Sequence, residues 1–189
     1  MAAFRYKMVL SVVIFSALAT SNAFADGKAY VEGQFSFPFP SKKTAKDTRT
    51  WSGLVVGVSD GDRITVLHKD KGKKIRLYGI DAPDVGQAFS ERAKQFTFDT
   101  VYGKTVHVET MGKDPNDRTV GIVTVDGQSL NESLIQNGLA WVYQKYCRAT
   151  FCEDWLNLEI VARYGKIGLW SEPNPIPPWE FRHGKAKNS

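Results

Sequence analysis

The chain has 189 residues, 42% of them hydrophobic, and a formal charge of +5. That is enough for one domain with its own core, and the basic balance is compatible with a polyanionic partner without requiring one. The three histidines, His68, His107 and His183, are isolated and only two cysteines are present, which argues against a zinc site.

The first 25 residues read as a secretory leader: Arg5 and Lys7 form a basic start, Val9 to Ala19 an apolar stretch, and Ala23-Phe24-Ala25 an A-x-A cleavage signal. The apolar stretch is shorter than the roughly 20 residues a membrane span needs. The expectation is therefore a secreted or periplasmic protein with no stable membrane association after cleavage. Without Arg5 and Lys7 the formal charge drops from +5 to +3. Residues 26–50, with Phe35-Ser36-Phe37-Pro38-Phe39-Pro40 and a polar, basic stretch after it, read as an N-terminal extension.

A strand-rich region follows. Leu54 to Val58 is apolar and stops at the turn signal Ser59-Asp60-Gly61-Asp62. Arg63 to His68 alternates in polarity, Lys69 to Lys73 reads as a hairpin turn, and Lys74 to Ile80 as a third strand. Period-two alternation puts Ile75 and Leu77 on one face and Arg76 on the other. Phe89, Ala93, Phe96 and Thr100 recur at helical spacing, with Gly103 to end the helix. Val106 to Val108 and Thr119 to Val125 are two more strands, followed by an Asp126-Gly127 turn. Asn131 is a candidate N-cap for a short helix closed by Gly138, and a last helix runs from about Glu153 to Tyr164. Pro173, Pro175, Pro177 and Pro178 imply an extended tail over residues 173–189. Five strands with interspersed helices suggest a small closed or partly open barrel over residues 51–172. In an exported chain, the close pair Cys147 and Cys152 points to a disulfide across a short loop.

The chemistry concentrates in Asp60-Gly61-Asp62, Arg76, Asp81-Ala82-Pro83-Asp84 and Arg118. Each piece by itself has a bland reading: a turn, a capped loop, a solvated strand face, a surface ion pair. In this order, at strand ends and loops where sites are built, they suit a hard cation on oxygen ligands, a phosphate held by two guanidiniums, and a carboxylate that activates water.

From about Gly53 to Ser171 the chain resembles the staphylococcal nuclease family. The likeness rests on Val58-Ser59-Asp60-Gly61-Asp62, Ile75-Arg76-Leu77-Tyr78-Gly79-Ile80-Asp81-Ala82-Pro83, Asn131-Glu132-Ser133-Leu134, Gly138-Leu139-Ala140-Trp141-Val142-Tyr143 and Gly168-Leu169-Trp170-Ser171. The resemblance implies an α+β protein, an OB-fold five-stranded Greek-key barrel with about three helices. It implies a monomeric calcium-dependent endonuclease acting on DNA and RNA and leaving 3′-phosphates. Asp62 and Asp81 correspond to calcium carboxylates, with the Ala82 carbonyl as a further ligand. Arg76 and Arg118 correspond to phosphate-binding arginines. Asp84 stands where the family places a water-activating glutamate.

Three departures bear on this. Aspartate at 84 draws the carboxylate back by at most about 1.5 Å, one carbon–carbon bond. Arg63 replaces the family threonine and adds charge beside the metal carboxylates. Asp114-Pro115-Asn116-Asp117 replaces a loop that usually holds a tyrosine, and puts Asp117 next to Arg118. The alternative reading is an OB-fold module that binds nucleic acid without cutting it; a secreted interaction module is a third.

Overall fold

The computed structural model describes residues 50–187. The leader and residues 26–49 of the extension lie outside the described residues. The strands are β1 (Thr50–Asp60), β2 (Arg63–His68), β3 (Lys71–Leu77), β4 (Ile80–Asp81), β5 (Thr105–Lys113), β6 (Thr119–Val125), β7 (Gln128–Ser129) and β8 (Trp141–Val142). The helices are α1 (Ser90–Val101), α2 (Leu130–Gln136), α3 (Cys152–Tyr164) and α4 (Pro178–Lys187), with a 3₁₀ turn at Gly168–Ser171.

Five strands close into a barrel in the order β3-β2-β1-β5-β6, and β3 closes it by pairing parallel with β6, Arg76 opposite Val120. β1 serves two neighbours: Thr50 to Leu54 pair with β5, and Leu54 to Asp60 with β2. Register shifts between Val55 and Gly57 and between Val58 and Asp60 bend it from one to the other. This is the expected five-stranded barrel.

Alternation fills the barrel. Ile64 and Val66 of β2, Ile75 and Leu77 of β3, Val106 and Val108 of β5, and Val123 and Val125 of β6 all point inward and are buried. Each contributes roughly 1.5–3 kcal/mol by leaving water. Leu130, Leu134 and Ile135 of α2 and Ala93 and Val101 of α1 join the same core. A smaller cluster joins Leu169 and Trp170 of the 3₁₀ turn to Trp141 of β8 and Ala162 of α3.

Several local expectations change. The β2–β3 turn is only Lys69-Asp70, both at positive φ, because His68 already pairs with Lys71. The exposed lysines of early β3 carry no apolar pattern to mark a strand. On α1 the buried positions are Ser90, Ala93, Thr97 and Val101, so Thr97 faces inward too, while Phe96 packs half-buried against the core. The Thr97 hydroxyl donates to the Gly61 carbonyl at 2.7 Å, which makes a buried polar residue tolerable.

Ser129, not Asn131, caps α2, accepting from the Glu132 amide at 3.3 Å. Asn131 is buried instead. Its Oδ1 accepts from the Val123 amide and its Nδ2 donates to the Tyr78 carbonyl, tying the ends of β6 and β3 together.

The tail is not extended throughout. Pro178 opens α4, where its missing N–H breaks no helical bond and its fixed φ suits the first turn. Trp179 stacks on Tyr143, ring centroids 4.6 Å apart and planes 11° from parallel, and Gln87 donates to the Ile176 carbonyl at 3.0 Å. Cys147 and Cys152 are disulfide-bonded. Among the described residues no helix is long and apolar enough to cross a membrane.

Candidate active site

The site forms where the β1–β2 turn, the end of β3, and β4 with the loop after it come together. Gly61 lets this happen: a Cβ there would stand 2.8 Å from both the Ala82 and the Ala93 Cβ atoms. The Leu77 amide donates to the Asp62 carbonyl at 2.9 Å, pinning the turn against the end of β3. At Gly79, φ is +68° and a Cβ would meet Cys147 Sγ at 2.7 Å. Only glycine makes that bend and so returns the chain to put Asp81 beside Arg76.

Asp62 is 2% exposed and Asp81 1% exposed. Arg76 Nη2 donates to Asp81 Oδ1 at 2.9 Å and lies 3.7 Å from Asp62 Oδ2. Arg63 pairs with Asp60 at 3.0 Å, and its Nε lies 3.6 Å from Asp62 Oδ1. Its Nη2 lies 3.7 Å from Asp84 Oδ1. The Asp84 amide donates to Gln87 Oε1 at 2.8 Å and its carbonyl accepts from the Gln87 amide at 2.9 Å, a turn that holds the carboxylate at the rim.

Burial, reinforced by the Asp60 charge, pushes the Asp62 carboxyl up to about 7 against the pull of Arg76. Burial raises Asp81 as well, opposed first by its hydrogen bond from Arg182.

The structure thus gathers Asp62, Arg76, Asp81, Ala82 and Asp84. Arg118 is engaged elsewhere. Its Nε and Nη2 each lie 2.6 Å from Asp114 Oδ2, and its amide donates to Asp114 Oδ1 at 3.0 Å. Burial pushes Asp114 up, but its hydrogen bonds from Arg118 and Asn116 outweigh that and hold it below the ordinary range. Asp117, expected beside the arginine, pairs instead with Lys113 at 2.5 Å.

The sequence reading missed Arg182, on α4. Its Nη2 lies 2.5 Å from Asp81 Oδ2 and its Nη1 2.7 Å from Asp84 Oδ2. Burial opposes its charge, but these bonds, Asp81 first, raise its pKa overall. A signal was present: Trp179 and Arg182 are three apart, one helical face, directly after a proline that can start a helix.

Asp62 Oδ2 is buried without a hydrogen-bond partner. A buried carboxylate oxygen left unsatisfied is costly, and a hard divalent cation would satisfy it. The donors at hand, the Asp62 and Asp81 carboxylates and the Ala82 carbonyl, are of the oxygen type such a cation takes. Among the described residues no three His, Cys, Asp or Glu side chains group as a metal site by themselves. Backbone, water or substrate oxygens would complete the shell.

The model of the staphylococcal nuclease homologue family matches residues 74–172. The chain belongs to that family. It is therefore a nuclease by membership, and the matched span holds Arg76, Asp81, Asp84 and Arg118 but stops short of Arg182. It is similar to a Haemophilus influenzae protein described as an uncharacterized endonuclease, 38% identical over 71% of this chain and 74% of that one. It is similar to a micrococcal nuclease of Shigella flexneri, 36% identical over 72% of this chain and 83% of the relative. A staphylococcal-like nuclease of Arabidopsis thaliana is 34% identical over 59% of this chain and 34% of its own length.

Proposed function

We propose that this nuclease is a calcium-dependent, sugar-nonspecific endonuclease that hydrolyses DNA and RNA to 3′-phosphate products, acting as a secreted or periplasmic monomer. The observation that carries the reading is that Asp62, Asp81 and Asp84 converge on the same guanidiniums while Asp62 Oδ2 stays buried without a hydrogen-bond partner. Export rests on the leader sequence alone.

Bound calcium would supply charge neutralisation on the phosphate and a fixed place for water. Asp62, Asp81 and the Ala82 carbonyl would hold it. Asp84 accepts the proton of the attacking water, a role open to a carboxylate at the rim of the site. Arg76, already fixed by Asp81, presents its remaining N–H groups to the phosphate oxygens as charge builds on them. Arg118 joins only if it leaves Asp114.

The test is cleavage of a closed circular DNA and of an RNA of the same sequence, with calcium and with excess chelator. Calcium-dependent linearisation of the circle and cleavage of both polymers support the reading. Salt-dependent binding without turnover would point to the non-catalytic module, and full activity in chelator would remove calcium.

A further inference from the structure

Asp81, one of the two carboxylates that would hold the cation, already has a cation beside it, supplied by α4. Asp81 has both oxygens engaged, Oδ1 by Arg76 and Oδ2 by Arg182. Asp84 Oδ2 is engaged by the same Arg182 guanidinium. The charge count is as telling as the contacts. Four carboxylates (Asp60, Asp62, Asp81, Asp84) face three guanidiniums (Arg63, Arg76, Arg182), a formal balance of −1. With Arg182 withdrawn the balance is −2, the charge a divalent cation neutralises.

Arg182 also differs from the other two in how it is held. Arg63 and Arg76 sit on barrel strands, while Arg182 is 38% exposed on α4. That helix is tied down through Trp179 against Tyr143 and through the Ile176 carbonyl before it.

Building on the calcium reading above, we propose that α4 is a gate on the cation site: Arg182 and calcium compete for Asp81, and calcium binding withdraws Arg182 from Asp81 and Asp84 together and loosens α4. Coupling of this kind is reciprocal, so whatever frees α4 must tighten calcium binding by the same factor.

The experiment measures calcium chloride binding by calorimetry to the mature wild type, to Arg182→Gln, and to Trp179→Ala, which removes the ring stacked on Tyr143 and leaves the site's carboxylates in place. Hydrogen exchange of residues 178–187 in the wild type, with and without calcium, needs no variant at all. Expected are roughly 5- to 150-fold tighter calcium binding by Arg182→Gln, the usual range for coupled ligands, a shift in the same direction for Trp179→Ala, and faster exchange across α4 when calcium is added. Equal or weaker calcium binding by Arg182→Gln, or unchanged or slower exchange in α4, overturns the gate and leaves calcium dependence standing. Failure of both the wild type and Arg182→Gln to bind calcium overturns the gate and the calcium reading together.

Discussion

Arg76 and Arg118 are two similar side chains in two different electrostatic settings. Their exposures nearly match, 22% and 21%, and each meets a carboxylate within hydrogen-bond distance, at 2.9 Å and 2.6 Å. Their partners differ. Asp81 sits at the base of the barrel's end, where burial outweighs its cationic neighbours and raises its pKa. Asp114 lies in a surface turn, where hydrogen bonds from Arg118 and Asn116 outweigh burial and lower its pKa. The first arginine is held among buried carboxylates at the end of the barrel. The second is spent on its own turn until something displaces Asp114. A matching residue in a matching position is therefore not the same as a residue in place.

The largest effect tests the acid beside the first pair. Asp84→Asn is expected to lower turnover by roughly 100- to 10,000-fold, because an amide accepts no proton. Asp84→Glu is expected to retain activity or raise it by restoring reach. Calcium-dependent cleavage by both variants, with folding checked by circular dichroism, gives the answer. An unchanged rate in Asp84→Asn would show that another group activates the water.

Next comes the contrast itself. Arg76→Ala is expected to cost about 100- to 1,000-fold in turnover, the usual loss for a charge-stabilising donor. Arg118→Ala is expected to cost about tenfold less, because wild-type Arg118 must first break its charge-assisted bonds to Asp114. Steady-state kinetics on one defined oligonucleotide ranks them. Equal losses would mean that Arg118 leaves Asp114 at little cost once substrate binds.

The smallest effect is a pair of opposite slopes in stability against pH, measured by denaturation in chelator. Asp62 has a folded pKa raised from 3.8 to about 7, so its contribution is fully present below 3.8 and is lost as pH rises through about 7. Asp81 is raised too and adds to the same decline. Asp114 has a lowered pKa, so its contribution is present above 3.8 and is lost as pH falls through its depressed value. Asp62→Asn is expected to flatten the decline between about pH 4 and 7. Asp114→Asn is expected to flatten the acid limb below that range. Matching slopes in the two variants would erase the distinction between the pairs.

Residues whose role follows from short-range pattern were legible in the sequence. Alternation along Ile75-Arg76-Leu77 sorted core from site because a strand's faces are decided by period two. That Asp62, Arg76, Asp81 and Asp84 come together was legible because all four lie within 23 consecutive residues, on strands and turns that must pack together. The cysteine pair closes so short a loop that its bond needed no fold to be foreseen. What the tertiary structure alone decided came from partners far along the chain. Thr97 is buried because Gly61 offers it a carbonyl 36 residues away. Asn131 gives up a cap for two long-range bonds, one of them to Tyr78 at a separation of 53. Arg182 reaches Asp81 across 101 residues. Local pattern reports which face a side chain takes, but a buried charge is settled by whichever opposite charge the folded chain brings to it, and that choice is made only when the barrel has closed and α4 has docked.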